Sequence, residues 1–184
     1  LVQELAEGRN VIVFAWHTEL IARYERLCAT VGKTATLYAD KVPTHKREAW
    51  IDKDVVGKRV QILVVNPATV QTGLNNLVHF NSVIWMENPH CDPTITRQAN
   101  GRVDRIGQKK DVRIWTLVYA DALGLQRKCH DLLMAKVAVA QVVDGLDPVA
   151  ALSMVGGGSG EQGAMAAMNV GKALFAHLQD MDED

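Results

Sequence analysis

The segment TRQANGRVDRIGQKKDV contains the side chains whose types and spacing could do chemistry. On a helix, Gln98, Arg102 and Arg105 recur at intervals of four and three residues, so they would share one face. A guanidinium carries a permanent charge and a planar fork of donors, which suits phosphate. The stripe predicts a phosphate site, although a solvated helix face whose arginines pair with nearby aspartates fits the residues equally well.

Basic charge is concentrated around this segment. Residues 97–113 contain six basic and two acidic side chains, whereas the whole chain of 184 residues has a net charge of −1. Residues 1–146 contain 19 basic and 15 acidic side chains, and residues 147–184 contain 1 and 6. A local basic stripe on a nearly neutral chain favours a confined anion site over general binding to polyanions.

A second stretch, Gly32-Lys33-Thr34, resembles the end of a phosphate-binding loop but lacks its context. Such a loop needs a glycine five residues before Gly32, and that position is Leu27. It also leads from a strand into a helix, whereas here helical periodicity comes first and a strand pattern follows. We therefore interpret Gly32 as the glycine that ends a helix.

Cysteine usage and hydropathy exclude several classes of protein. The three cysteines, Cys28, Cys91 and Cys129, are far apart and predict neither a disulfide framework nor a zinc site, which favours a reducing, cytoplasmic setting. We expect no metal site in the chain and no membrane partner, because no apolar run is long enough to span a bilayer. The chain begins at Leu1 in helix-like sequence, which suggests a piece of a longer protein.

Short β-branched runs alternate with amphipathic segments along residues 10–146. Strands are predicted over 10–16, 34–39, 59–65, 82–87 and 111–119, and helices over 17–31, from Pro43 to Gly57, from Asp92 to near Gly107, and over 125–143. Strands buried on both faces and separated by helices predict a three-layer α/β domain with a mainly parallel sheet. In such a sheet ligands bind beyond the carboxyl ends of the strands, where we expect the arginine stripe to project.

Three further features follow from this pattern. Ala99, Val103 and Ile106 would form an apolar stripe facing the core. Trp85 and Trp115 lie in strand patterns, which favours core packing over stacking on bases. After residues 1–146 we expect a glycine-rich linker over 147–163, then a possible short helix with an acidic tail over 164–184.

The segment QANGRVDRIGQ resembles motif VI of superfamily 2 helicases, in the form found in Swi/Snf-like DNA translocases. VIVFAWHTEL resembles motif IV, LYADKVPTHKREAWI resembles the following block with its arginine, and VVNPATVQTGLNN resembles motif V. The resemblance covers residues 10 to about 145. It implies the second, C-terminal lobe of a RecA-like, P-loop-NTPase-type fold that lacks a P-loop of its own.

The resemblance implies a division of labour around ATP and Mg²⁺, both bound mainly by an N-terminal RecA-like lobe that this chain lacks. Arg102 and Arg105 would be the catalytic arginine fingers. Gln98, Gly73 and Asn75 would bind ATP or couple it to the interface between the lobes. We therefore expect the isolated chain to be inactive as an ATPase.

The resemblance also implies contacts to the nucleic-acid backbone, which position a strand without reading its bases. The residues expected to make them are His17, Thr18, Arg47, Thr69 and Thr72. For His17 and Thr18, an ordinary helix start is as good an interpretation as a phosphate contact.

Two alternatives to an active DNA helicase or translocase stay open. Gln71 stands where relatives carry glycine in motif V, which fits a catalytically degenerate DNA-binding or interaction module. An RNA helicase lobe is disfavoured because Gly107-Gln108 follows the last arginine of motif VI. The form of motif V is typical of bacterial and phage members, so we expect a bacterial or phage-encoded protein.

Overall fold

The computed structural model describes residues 1–38, 41–70, 74–87, 93–119 and 124–143, with only the main chain described for 138–143. The described residues fall into two compact units: those within Leu1–Glu87 and Ile95–Leu117 form the first, and those within Asn88–Thr94 and Val118–Asp184 form the second. The predicted linker and terminal helix over 147–184 lie outside the described residues.

The first unit is built on a five-stranded, all-parallel sheet with the strand order β2-β3-β1-β4-β5. The strands are β1 Val11–Phe14, β2 Thr34–Leu37, β3 Ile62–Val65, β4 Ser82–Trp85 and β5 Arg113–Thr116. Phe14 lies opposite both Val65 and Trp85, so the carboxyl ends of the three central strands are level. The predicted α/β fold with a parallel sheet is confirmed.

Six helices are described. They are α1 Val2–Ala6, α2 Thr18–Ala29, α3 Arg47–Trp50, α4 Pro67–Val70, α5 Pro93–Asn100 and α6 Leu125–Val143. A π-helical turn over Ile51–Val56 continues α3, and short 3₁₀ turns lie at Thr44–Lys46 and Leu77–His79. None of the described helices is both long and apolar enough to cross a membrane.

Both faces of the central strands are buried, as their continuous apolar runs predict. Every residue of β1, β3 and β4 is buried. Trp85 is only 2% exposed and packs on Phe14 with ring centroids 4.5 Å apart, which confirms the core assignment. The core assignment of Trp115 is wrong: it is 46% exposed, because β5 is the edge strand and Trp115 lines an open apolar cavity of about 430 Å³.

Gly32 is a glycine for reasons of space rather than conformation. Helix α2 ends at Ala29, and Gly32 does not adopt a positive φ. A Cβ at this position would lie 3.0 Å from Ile62 Cδ1 and 3.1 Å from Leu5 Cδ1. A larger residue here would therefore have to displace these two side chains by a few tenths of an ångström. The segment runs from a helix into a strand and is not a phosphate loop.

Candidate functional site

The segment after α5 and the segment before β4 meet through a side-chain hydrogen bond. Arg105 Nη1 donates to Asn75 Oδ1 at 2.5 Å, and the two residues are 30 positions apart in the sequence. Asn75 is exposed, and Arg102 and Arg105 are partly exposed. Asn75, which is expected to couple ATP to the lobe interface, is thus a surface neighbour of Arg105, a predicted arginine finger.

The predicted helical stripe of Gln98, Arg102 and Arg105 is wrong in its geometry. Helix α5 ends at Asn100, and the chain then turns through bonds of mixed type: Arg102 N to Ala99 O at 3.2 Å spans three residues, and Asp104 N to Asn100 O at 3.0 Å spans four. Gln98 is exposed on the helix, whereas both arginines lie in the turns that follow it. The helical period no longer determines which side chains share a face after residue 100.

The same early helix end corrects the predicted apolar stripe. Ala99 and Val103 are completely buried, as expected, but Ile106 is 100% exposed. Gly107 adopts a φ of +103°, which reverses the chain directly after Ile106 and is strained for other residues. The segment, which belongs to the first unit, therefore does not continue as a helix through Ile106.

Two side chains of the motif VI segment attach this turn to the rest of the fold. Before the arginines, Asn100 Oδ1 accepts a hydrogen bond of 3.0 Å from the buried indole of Trp85. After them, Gln108 Nε2 donates to Phe80 O at 2.8 Å, just before β4 begins. The last residue of the segment thus lies at the amino-terminal end of β4. The expected position of Gln98, Arg102 and Arg105 beyond the carboxyl ends of the strands stays a prediction.

Arg47 and Thr69, both predicted to contact nucleic acid, lie together in the interior. Arg47 is 7% exposed and Thr69 is 5% exposed. The guanidinium donates from Nη1 to Thr69 O at 3.0 Å and from Nε to Val42 O at 3.1 Å. Arg47 therefore holds the main chain of α4, while a contact from Arg47 or Thr69 to nucleic acid stays a prediction.

The loops after β1 and β3 are joined at the carboxyl edge of the sheet. Asn66, the residue after β3, donates from Nδ2 to Trp16 O at 2.7 Å. This bond holds the start of α2 close to the start of α4.

A carboxylate lies at the start of α2, where the resemblance implies a phosphate. Glu87 Oε2 accepts hydrogen bonds from Trp16 N at 2.8 Å and His17 N at 2.9 Å, and Oε1 accepts one from Tyr24 Oη at 3.0 Å. This negative charge interacts favourably with the positive end of the helix dipole. The side chains of His17 and Thr18 are exposed, and their contact with phosphate stays a prediction.

Three motif V positions, Gln71, Thr72 and Gly73, lie outside the described residues. Within the described ranges, no group of three His, Cys, Asp or Glu side chains could hold a metal ion. The roles of Asn100, Gln108 and Glu87 were missed by sequence reasoning, because a capping or bridging side chain is identified by its partners and not by its spacing.

Comparison with known proteins finds relatives among helicases. Over 133 residues the chain is 30% identical to the ATP-dependent helicase FUN30 of Saccharomyces cerevisiae, in an alignment that covers 71% of this chain and 11% of the relative. It is 24% identical over 139 residues to Switch 2 of Arabidopsis thaliana, covering 74% of this chain and 16% of that protein.

A solved structure extends this similarity to the fold. The crystal structure of the C-terminal part of the Fun30 ATPase domain matches with a TM-score of 0.63 and 27% identity, over 83% of this chain and 47% of that chain. The chain is homologous to Swi/Snf-like superfamily 2 helicases. Its parallel sheet is that of the C-terminal RecA-like lobe, so the recognition and the fold predicted from the four motifs are confirmed.

The alignments cover only a small part of the curated relatives. No family model matches the sequence. The chain spans 11% and 16% of the length of the two curated relatives, so the activity of a whole protein is a matter for proposal. These relatives come from yeast and Arabidopsis, and the expected bacterial or phage origin finds no support in them.

Proposed function

We propose that the chain is the C-terminal lobe of an ATP-dependent DNA helicase or translocase and supplies Arg102 and Arg105 to an ATP site shared with an N-terminal lobe. The observation that carries the proposal is the hydrogen bond of 2.5 Å between Arg105 and Asn75. It joins motif VI to motif V in a chain whose relative is named an ATP-dependent helicase.

The two arginines act on the transferred phosphoryl group. Their guanidiniums stabilise the negative charge that develops on the phosphoryl oxygens, an effect of roughly 10³–10⁵ in rate for arginine fingers. Asn75 keeps Arg105 at the surface and oriented, and Gln98 and Gly73 help to couple the bound nucleotide to the lobe interface. ATP itself supplies the phosphoanhydride that is cleaved.

The charges of the described residues fit this division of labour. Partly exposed guanidiniums suit the phosphates, but no described cluster of carboxylates suits Mg²⁺. We assign the binding of Mg²⁺ and the tight binding of the triphosphate to the N-terminal lobe. The chain alone should then neither bind ATP tightly nor hydrolyse it.

The DNA-facing surface lies at the carboxyl edge of the sheet. His17, Thr18, Thr69 and Thr72 would contact backbone phosphates of duplex DNA, and Arg47 would act with them. The support is local geometry: Arg47 holds the main chain of Thr69, and Asn66 joins that loop to the start of α2.

Steady-state ATPase measurements on the full-length protein test the proposal. Arg105→Ala should lower kcat by about 10³-fold while leaving the affinity for ATP within a few-fold, because the arginine acts in the transition state. Arg26→Ala, which removes an exposed arginine on α2, is the matched control and should behave as wild type. Normal turnover by the Arg105→Ala protein would overturn the assignment.

Two further measurements separate the alternatives. Duplex DNA should stimulate the full-length ATPase more than RNA does, and the reverse order would favour an RNA helicase. An upstream sequence without an intact phosphate-binding lobe would favour the degenerate module that Gln71 suggests. A lobe over residues 1–146, followed by a linker and a short helix, remains part of the proposal and is testable by limited proteolysis.

A further inference from the structure

Gln108 ends the motif VI segment, and neither the resemblance nor the proposed function gives it a task. It is partly buried three residues after Arg105, directly behind the turn at Gly107. Its main-chain amide donates to Arg105 O at 2.9 Å, so the two residues belong to one tight turn. Any displacement of Gln108 is therefore passed to Arg105 through the main chain.

Among the residues that the structure describes, the partners of the Gln108 side-chain amide are all main-chain groups. Nε2 donates to Phe80 O at 2.8 Å and lies 3.2 Å from Val78 O and 3.3 Å from Val103 O. Oε1 accepts from Lys109 N at 3.0 Å and from Lys110 N at 3.1 Å. A glutamine amide has two donor hydrogens and two acceptor lone pairs, so these contacts use its full capacity.

These bonds connect the turn that carries Arg105 to the stretch of chain between Asn75 and β4. Val78 and Phe80 lie between Asn75 and β4, so Gln108 and Arg105 attach to the same stretch of chain, a few residues apart. The spacing between the two attachments fixes the direction in which the arginine leaves the turn.

We infer that Gln108 is a positioning residue for Arg105. The amide holds the turn against the chain before β4, and its capacity is already met by the protein, so it makes no contact with nucleotide. The inference rests on the proposed function, because it assumes that Arg105 acts on ATP. Loosening the turn should then lower the rate of hydrolysis without weakening the binding of ATP.

The test compares two glutamine variants of the full-length protein. Gln108→Glu keeps the acceptor for Lys109 and Lys110 but places a carboxylate against carbonyl oxygens. Gln61→Glu makes the same chemical change at an exposed glutamine before β3, where Oε1 accepts from Lys33 N, and should leave turnover unchanged. Misplacing a catalytic group by about 1 Å can cost on the order of 10²-fold in rate. We expect kcat of the Gln108→Glu protein to fall at least tenfold, with the Kd for ATP within about threefold.

A double-mutant cycle separates positioning from simple loss of stability. In an Arg105→Ala background, Gln108→Glu should lower kcat by less than about twofold, because the group it positions is gone. A further full loss in that background would overturn the inference, as would normal kcat in the single Gln108→Glu variant. If Arg105→Ala itself turns over normally, the proposed function fails first.

Measurements on folded protein keep the test decisive if the charged variant folds poorly. Gln108→Met has a similar length and adds no charge, but it removes all five contacts of the amide, so kcat should again fall. Assays are run well below the melting temperature of each variant. In the full-length protein, the amide protons of Lys109 and Lys110 should exchange faster in Gln108→Met than in wild type, and unchanged exchange would contradict the attachment.

Discussion

Truncation of Val103 and Ile106 tests whether the motif VI segment leaves the helix at Asn100. The two residues are three positions apart and would lie on one face of a continued helix. In the structure Val103 is completely buried and Ile106 is 100% exposed. Only the valine should therefore contribute apolar burial to the free energy of unfolding.

The magnitudes follow from the area that each side chain removes from water. Val103→Ala deletes two carbon atoms at about 0.8 kcal/mol each, and the cavity that remains adds to this, so the variant should lose about 2 kcal/mol. That corresponds to a fall in melting temperature of roughly 4–8 °C for a chain of this size. Ile106→Ala removes no buried surface and should change stability by less than about 0.5 kcal/mol.

Urea unfolding followed by circular dichroism measures both variants against wild type. The slope of unfolding free energy with urea should be the same in all three, so that the midpoints report stability alone. An equal loss in the two variants would mean that residues 101–107 continue α5, and the turn that presents the arginines would be refuted.

Three other predictions concern groups around the site and at the edge of the sheet. Arg47→Ala should lower the free energy of unfolding in urea by about 3 kcal/mol, because two main-chain carbonyls lose a charged, buried donor. A loss below about 1 kcal/mol would show that these bonds do not stabilise α4. Glu87→Gln keeps an acceptor but removes a negative charge at the start of α2. The affinity for duplex DNA, measured by titration at low salt, should therefore rise. Unchanged affinity would count against phosphate contacts at this helix start. The Arg113 guanidinium, through its hydrogen bond, holds the pKa of Glu7 below its ordinary value. That interaction is therefore present above the ordinary carboxyl pKa and is lost as the pH falls through the lowered value, so the melting temperature should fall more steeply between about pH 5 and pH 3 in wild type than in Glu7→Gln. Parallel profiles would contradict the pairing.

The sequence predicted those parts of the fold that depend on local pattern. The β-branched runs of β1, β3 and β4 predict strands buried on both faces, and the structure buries every residue in them. The range 125–143 was predicted as a helix and is α6, Leu125–Val143. The conformation of these elements depends on residues that are close in the sequence, so the period of apolar residues is sufficient to predict it.

The parts that sequence could not predict depend on distant partners. Motif VI contains a helical period through Ile106, but the bonds from Asn100 to Trp85 and from Gln108 to Phe80 favour a turn. Trp115 has a strand pattern typical of the core, yet its exposure depends on β5 being at the edge.

The start of α2 illustrates the same limit for the candidate site. The resemblance to motif IV implies an anion at this helix end, and the structure places the carboxylate of Glu87 there, from 70 residues further along the chain. The sequence predicts that an anion suits this position. Whether that anion is a side chain of the protein depends on contacts between distant parts of the chain.

The central claim is that this chain contributes an arginine to the transition state of ATP hydrolysis. It is tested most directly by the single-turnover rate of the full-length protein with saturating ATP and duplex DNA, because that rate excludes product release. We predict that Arg105→Ala slows the chemical step by about 10³-fold relative to Arg26→Ala, with equal amounts of ATP bound. Equal single-turnover rates for the two variants would contradict the claim.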